Sequence, residues 1–496
     1  MSVSTSFFEL LQVAVGNREE LSCVPTPEEW EEIYEMSKKQ SVAGIAFAGV
    51  ERLPQEQMPP GRRIRQWAVK AEKTREHNAK VSEDCRVISR FFEENGFDCV
   101  ILKGQGNFAY YPEWLQGLRS AGDIDIWCWP KANANETHMW CYETATPTKR
   151  GYATTKTKRP SDYENEDKVQ GTKYKVQECK NLLNQREARL EHPVRRVIEF
   201  CQSKKRGEYV YYHNLDFPVL KKTPVEVHYR PTWLYNPFRN RVLQKWFGQF
   251  TALRVKLSGE RSSEHNSQFT VHNSSSEALR RAELGAQFTV YDGYRIPSVE
   301  FNVVFQLLHL YKHIFEEGIG LRQLLDYYFV INETQSEIAT KRGCATTKTK
   351  RPSDYENWSN NKDNKDNQDD IIPLNPSTLE LIGRLGLRDF AGAVMYVMRE
   401  VFAMPEEWML YKPDEKRGKK LLEEIMIGGN FGKFDERYNW AETTNGSMDY
   451  RGASYAFARL RHNFQFLSDY PSEVLWEPVF RVYHWFWRKC RLWRWE

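Results

Sequence analysis

The sequence predicts an α+β protein in which a central β-sheet is flanked by helical regions at both ends of the chain. Apolar residues recur at helical spacing up to residue 96 and again from residue 298, whereas short apolar or alternating runs bounded by turn residues lie between them. Of the 496 residues 40% are hydrophobic, which is enough to build folded cores and excludes a largely disordered chain.

The first region, 1–96, is predicted to be helical. Thr26 followed by Pro27 is typical of the cap and first turn of a helix. A longer helix is expected over about 62–95, where Gly96 supplies a stop signal. This region therefore precedes the sheet and should pack against it.

The sheet is predicted within 97–257, which we divide by an inserted loop at about 131–207. Strands are expected at 97–102, where an apolar run follows the helix stop, and at 209–213 and 225–229, where apolar and polar residues alternate. Asp216-Phe217-Pro218 and a lysine-proline turn link the last two strands.

The remainder is predicted to be a solvated loop at 258–297 and a C-terminal helical region at 298–496 with a second inserted loop at about 338–372. The polar segment 149–165 recurs at 341–357 with a single change. Structural repeats diverge in sequence and bury a shared core, so we interpret this copy as a segment inserted into two surface loops.

The aromatic C-terminal tail, 463–495, leaves two interpretations open. Its many tryptophans and basic residues are typical of a membrane interface, but they also suit a terminal helix that docks on the protein or on a partner.

Composition limits the classes of function. The chain has 71 basic and 67 acidic residues, so its net charge of +4 gives no general attraction for nucleic acid. Its nine cysteines include no Cys-x-x-Cys pair, which argues against a zinc site and a disulfide framework. The sequence has no signal peptide and no apolar run of about 18 residues, so a soluble protein of the reducing cytoplasm is expected.

Two aspartates on a short apolar strand are the most informative feature. Asp123 and Asp125 follow a glycine turn, and alternation along a strand places them on one face about 6.6 Å apart. Like charges this close raise each other's pKa, and a divalent cation relieves the repulsion. Since no Cys or His stands directly beside the pair, Mg²⁺ is expected rather than a soft metal.

Other residues extend this constellation. A glycine turn lets the backbone approach a phosphate closely, and an arginine fork suits phosphate oxygens. The predicted nucleotide-binding residues are Lys103, Gly104, Gly106 and Arg119. Glu226, on a predicted strand, is a candidate third carboxylate, and His228 on the same face is either a general base or a support for Glu226.

Arg322 and Asp326 lie four residues apart on a predicted helix. We interpret them as an intrahelical ion pair, with a phosphate or acceptor contact as the alternative for Arg322. Together with His228 they are possible supporting residues of the site.

The chain resembles the uncharacterised bacterial nucleotidyltransferase family of the polymerase-beta-like superfamily over about 97–130, 208–240 and 298–330. The motifs that carry the resemblance are Leu102-Lys103-Gly104, Tyr111-Pro112, Leu118-Arg119, Gly122-Asp123-Ile124-Asp125-Ile126, Val225-Glu226-Val227-His228 and Gly320-Leu321-Arg322-Gln323-Leu324-Leu325-Asp326. The resemblance implies an α+β fold with a mixed-sheet nucleotidyltransferase core between the N- and C-terminal helical regions.

The resemblance also implies an activity, the metal-dependent transfer of a nucleoside monophosphate from an NTP to an unidentified acceptor with release of pyrophosphate. In the superfamily a glycine-containing turn faces the triphosphate, two aspartates bind two magnesium ions, and a third carboxylate completes the site. By matching position, Asp123, Asp125 and Glu226 are the expected catalytic residues and ligands of Mg²⁺ or Mn²⁺. The acceptor, whether small molecule, protein or RNA, stays open, as does the choice of NTP.

The sequence departs from the family pattern at the turn, where Gly104-Gln105 replaces the usual Gly-Ser and offers no hydroxyl to a phosphate. The alternative to an enzyme is a catalytically silent protein of the same fold that binds a partner in a surface-polysaccharide or peptide-modification system. The three carboxylates favour the enzyme, because a silent site has no reason to keep three clustered charges.

Overall fold

The computed structural model describes residues 3–131, 193–204, 209–251, 288–341, 376–437, 442–444, 447–449 and 453–489. Within these ranges a small mixed sheet is surrounded by many helices, which confirms the predicted α+β fold class. The duplicated segment at 149–165 lies outside the described residues, and of its copy at 341–357 only the helical backbone of residue 341 is described.

Helices dominate the N-terminal region, as predicted. They are α1 (Val3–Val15), α2 (Pro27–Lys39), α3 (Ala43–Val50) and α4 (Gly61–Glu94). The Thr26 hydroxyl accepts from the Glu29 backbone N–H (3.2 Å) while the Glu29 carboxylate accepts from the Thr26 N–H (2.7 Å). This reciprocal pair satisfies two N–H groups that the helix leaves free, so the predicted start of α2 is confirmed.

Four strands form the central sheet in the order β1-β2-β4-β3. They are β1 (Phe97–Ile101), β2 (Ile124–Pro130), β3 (Asn214–Asp216) and β4 (Val225–His228). The pairing of β2 with β4 is parallel, whereas the other two pairings are antiparallel. The sheet is therefore mixed, its two central strands carry Asp125 and Glu226, and Asp123 lies directly before β2.

The sheet separates two apolar cores. Ile124, Ile126 and Cys128 belong to a core with the C-terminal half of α4 and a helix over 193–204, which we label α5. Trp127 and Trp129 belong to the larger core, which the C-terminal helices share. Because residues alternate along β2, Asp125 lies on the face of the tryptophans and thus on the side of the C-terminal helices.

Two predictions around the sheet need correction. The strand predicted at 209–213 begins later, at Asn214, because the Tyr211 N–H donates to the Asn214 carbonyl (2.9 Å) and closes a tight turn; Val210 forms only an isolated bridge with Leu215. The predicted inserted loop at about 131–207 contains α5, which is helical because its apolar side chains pack against the sheet. Residues 132–192 lie outside the described part.

The region between the sheet and the C-terminal helices contains α6 (Pro237–Thr251) and a hairpin of β5 (Phe288–Tyr291) and β6 (Tyr294–Pro297). The end of the predicted solvated loop 258–297 is therefore a packed hairpin. Phe288, Tyr294 and Ile296 are buried, which is the apolar anchoring that a solvated loop lacks. Residues 252–287 are outside the described residues.

The C-terminal region is helical, as predicted. Its elements are α7 (Val299–Glu316), α8 (Leu321–Lys341), α9 (Pro376–Arg384), α10 (Arg388–Phe402), α11 (Glu415–Gly428), the short strands β7 (Glu442–Thr444) and β8 (Ser447–Asp449), α12 (Ala453–Phe464) and α13 (Pro471–Trp487). The predicted inserted loop at about 338–372 lies outside the described residues, except that α8 extends through 341.

The aromatic tail forms α13, which docks through buried Val474 and Trp487. The helix also leaves an apolar face exposed, formed by Leu475, Val479, Val482, Tyr483, Trp485 and Phe486. Within the described residues, no helix has both the length and the apolar character needed to cross a membrane. Docking of the terminal helix is thus observed, and the residues after 489 lie outside the description.

Candidate active site

The parallel pairing of β2 and β4 brings the predicted carboxylates together. Asp125 lies directly opposite Glu226 in the pairing register, and His228 follows two residues later on the same face of β4. One ligand atom from each of Asp125, Glu226 and His228 lies within 4.8 Å of the other two. Asp123 immediately precedes β2 at the same end of the strand. We call Asp123, Asp125 and Glu226 the carboxylate cluster.

Asp125 is the most buried member of the cluster, with 1% of its surface exposed. Its Oδ1 atom lies 3.0 Å from Lys103 Nζ and 2.9 Å from His228 Nε2. Burial by itself raises the pKa of Asp125, but Lys103 and His228 outweigh it and lower the pKa to about 2. The carboxylate is therefore ionised at neutral pH.

Both ring nitrogens of His228 face hydrogen-bond acceptors. Its Nδ1 lies 3.2 Å from the Pro231 carbonyl oxygen, and its Nε2 lies 2.9 Å from Asp125 Oδ1. Burial lowers the pKa of His228, but the hydrogen bonds to Asp125 and Glu226 raise it above its usual value. These contacts favour the protonated ring when no metal is bound, and Lys103 adds positive charge beside Asp125.

The pKa of Asp123 shifts in the opposite direction from that of Asp125. The charge of Asp125 and then burial raise its pKa from 3.8 to about 6, with Lys103 opposing the shift. A carboxylate that is this hard to ionise indicates that the site holds more negative charge than its own cations balance. The sequence predicts this repulsion, and a divalent cation would relieve it.

Asp123→Asn is expected to stabilise the metal-free protein at pH 8. Because the folded pKa of Asp123 is about 6 and its ordinary value 3.8, the folded protein binds this proton more tightly, and stability from this group falls as the pH rises from 4 through 6. The free energy of unfolding of the variant should exceed that of the wild type by about 1–3 kcal/mol at pH 8 and by almost nothing at pH 4. Urea unfolding with EDTA at both pH values, with exposed Glu19→Gln as the control, measures it. Equal gains at the two pH values would contradict this account.

Arg119 lies apart from the role predicted for it. Its Nε and Nη2 atoms donate to the two carboxylate oxygens of Asp326 at 2.6 and 2.7 Å, and the Tyr111 hydroxyl donates to the same carboxylate at 2.7 Å. The predicted intrahelical pair of Asp326 with Arg322 is therefore wrong. Asp326 faces the segment between β1 and β2, where Arg119 reaches it in a bidentate geometry, while Arg322 donates to the Ser120 carbonyl (3.0 Å).

The glycine turn after β1 has the tight geometry that the sequence indicates. Gly104 has φ +63°, a conformation that favours glycine, and a Cβ there would lie 3.8 Å from the Asp123 carbonyl oxygen. At Gly106 a Cβ would come within 2.4 Å of the Ile101 carbonyl oxygen, so this glycine is needed for packing against β1. Gln105, which stands at the usual serine position, is buried, and its Nε2 donates to the side-chain Oδ1 of Asn78 in α4 (3.1 Å).

Two residues at the end of α7, His313 and Glu317, also lie near the site. Burial and the charges of Glu316 and Glu226 raise the pKa of Glu317 to about 7. Burial, followed by the positive charge of Lys103, lowers the pKa of His313 to about 3. The charges of Glu226 and Lys103 thus act on the end of α7. Glu317 has no motif of its own in the sequence, and only the fold brings it near the site.

Part of the chain matches a known protein family. Residues 26–137 match the sequence model of a family described as "Uncharacterised nucleotidyltransferase". That range contains the glycine turn, Asp123 and Asp125 and ends before Glu226. Neither the curated proteins nor the solved structures contain a match. The match confirms the resemblance recognised from the sequence motifs, and residues 26–137 are similar to this uncharacterised nucleotidyltransferase family.

Proposed function

We propose that this protein is a metal-dependent nucleotidyltransferase that moves a nucleoside monophosphate from an NTP to an acceptor hydroxyl or phosphate and releases pyrophosphate. The observation that carries the proposal is the convergence of Asp125, Glu226 and His228 within 4.8 Å, beside Asp123, in a chain whose residues 26–137 match a nucleotidyltransferase family. Two parallel strands hold these groups on one face, so the chemistry rests on a rigid element.

The residues fit a divalent cation. Asp123, Asp125 and Glu226 supply hard oxygen ligands, and the raised pKa of Asp123 reflects uncompensated negative charge. The imidazole of His228 in the same group is compatible with Mn²⁺ as well as Mg²⁺. When bound, the ion would stabilise negative charge that develops on the phosphoryl oxygens and would acidify the attacking hydroxyl.

We assign to Glu226 the transfer of the acceptor proton. Its Oε2 accepts from Asn214 Nδ2 at 2.5 Å, which fixes the carboxylate, and 31% of the side chain remains exposed to an incoming group. The Glu226 carboxylate takes the proton of the acceptor hydroxyl while the hydroxyl oxygen forms a bond to the α-phosphorus of the NTP. The bond from that phosphorus to the bridging oxygen breaks, and pyrophosphate leaves with the electron pair.

Lys103 supplies positive charge beside this reaction. Burial disfavours its protonation, but the surrounding carboxylates, led by Asp125, raise its pKa above the ordinary value. The ammonium group is therefore charged at neutral pH. Nucleotide phosphates and a divalent cation would together replace its ion pair with Asp125, leaving Lys103 to contact phosphate oxygens.

An NTP with Mg²⁺ or Mn²⁺ is expected to raise the melting temperature by a few °C, because a ligand at a hundred times its dissociation constant adds about 2.7 kcal/mol. The double variant Asp123→Asn with Asp125→Asn should fold but lose this shift. Thermal denaturation with each NTP, with EDTA as the metal control, measures it. An unchanged transition for all four NTPs at millimolar metal would count against the enzyme.

The acceptor class is still open among small molecules, proteins and RNA. We place the reaction in a reducing cytoplasm, which is supported by the free thiols of Cys85, Cys99, Cys128 and Cys201. Cys99 and Cys128 face each other across β1 and β2 and yet remain unpaired.

Binding of an NTP without transfer to any acceptor would favour the silent binding protein over the enzyme.

A further inference from the structure

Arg119 has its donors engaged by the protein itself. Two of its nitrogens bind the Asp326 carboxylate at 2.6 and 2.7 Å, and Nη1 donates to the Ser120 carbonyl at 3.1 Å. The side chain is 6% exposed and that of Asp326 4%, so the pair is buried and neutral overall. Releasing this arginine to a phosphate would leave Asp326 buried without its partner, which is costly.

Arg322 is a second buried guanidinium beside this pair, with 9% of its surface exposed. Its Nη1 donates to the same Ser120 carbonyl at 3.0 Å, while its Nε has no hydrogen-bond partner among the described residues. Both arginines lie near Asp326, which Arg119 occupies. The Arg322 guanidinium carbon lies 5.2 Å from the centroid of the Phe431 ring, but Arg322 forms no ion pair with the described residues. A buried cation with an unused donor and no ion pair calls for an anionic ligand.

The position of Arg322 shows where that anion would lie. Its Nη1 is 4.0 Å from the point that a Cβ on Gly122 would occupy, and Gly122 directly precedes Asp123. A Cβ on Gly104 would lie 3.8 Å from the Asp123 carbonyl oxygen and 4.0 Å from Nη1 of Arg119, the arginine that Asp326 holds. The negative charge of Asp123 also acts on Arg322. The glycine turn and the Arg322 guanidinium therefore both lie close to the backbone at 122–123.

We propose that Arg322, and not Arg119, is the arginine that binds the triphosphate of the nucleotide, through charge-assisted hydrogen bonds to phosphate oxygens. The inference rests on the proposed function and assigns the triphosphate to the side of the site formed by α8 and the segment before β2. Arg119 instead anchors that segment to α8. Arg322, for which a phosphate contact was the alternative interpretation of the sequence, thus takes the role first predicted for Arg119.

The test is calorimetric binding of inorganic tripolyphosphate, and of an NTP with Mn²⁺, to the full chain. Arg322→Gln and Arg322→Met should each lower the affinity for tripolyphosphate at least tenfold. Both variants should still bind Mn²⁺ within about threefold of the wild type. Arg86→Gln is the matched control, because Arg86 forms surface ion pairs with Glu83 and Asp292 and losing it removes one positive charge elsewhere.

Each outcome decides the proposal. Since Arg322→Met removes a buried charge without a counter-ion, its melting temperature should not fall, so loss of binding in a folded variant supports the inference. Tripolyphosphate affinity equal to the wild type in both variants would overturn it, and unfolding of both would show that the guanidinium is structural and overturn it as well. NTP binding at the wild-type affinity in both variants would overturn the inference and leave the proposed function intact, whereas no NTP binding by the wild type would contradict that function.

Discussion

Glu226→Gln is expected to lower nucleotidyl transfer at least a hundredfold while NTP binding stays within a few-fold. The amide keeps the size of the side chain and can still meet Asn214, but it cannot accept the acceptor proton and is a poor metal ligand. Asp123 and Asp125 remain to hold the metal that accompanies the nucleotide. Steady-state kinetics should therefore show a loss in kcat with little change in KM.

Two further variants control this experiment. Glu113→Gln changes an exposed acid outside the site and should leave transfer unchanged. His228→Ala tests whether His228 acts together with Glu226. A loss of nucleotidyl transfer similar to that of Glu226→Gln would indicate that the two residues act as a unit. Full turnover by Glu226→Gln would refute its role and direct attention to Asp216, which lies opposite Glu226 in the pairing of β3 and β4.

Asp326→Ala is expected to lower the free energy of unfolding by about 3–5 kcal/mol, because it leaves the Arg119 guanidinium buried without its counter-ion. The Tyr111 hydroxyl loses its acceptor in the same variant, which adds to the cost. Urea unfolding followed by tryptophan fluorescence measures the change.

The double variant Arg119→Met with Asp326→Leu tests the cause of that loss. Replacing both charges with apolar groups of similar volume should recover most of the stability, since no unpaired charge remains. If the double variant is as unstable as Asp326→Ala, packing rather than the ion pair accounts for the effect. A loss below about 1 kcal/mol in Asp326→Ala would show that the pair is not the anchor we describe.

Much of the fold could be predicted because local signals agreed with the final packing. Thr26 and Pro27 mark the start of α2, and the apolar runs before and through Asp125 become β1 and β2. Glu226 could be identified as a candidate third carboxylate since it alternates with buried Val225 and Val227. In each case neighbouring residues suffice to decide the conformation.

The remainder depends on contacts between distant residues. Arg119 and Asp326 are 207 positions apart, so the nearer Arg322 was the natural partner to expect, and only the packing of α8 shows otherwise. The approach of Glu317 to the site requires the C-terminal helices to lie on the Asp125 face of the sheet. The helix over 193–204 could not be separated from the polar insert before it, because its apolar face gains meaning only against the sheet.

The most direct test of the central claim follows the phosphorus of the nucleotide. The wild-type protein is incubated with Mn²⁺, a fractionated cell extract and each NTP labelled at either the α- or the γ-phosphate, with Glu226→Gln as the inactive control. Nucleotidyl transfer predicts that α-label moves to an acceptor, that γ-label leaves as pyrophosphate, and that Glu226→Gln lacks both. Transfer of γ-label to the acceptor, or no transfer of either label with any NTP, would contradict the account.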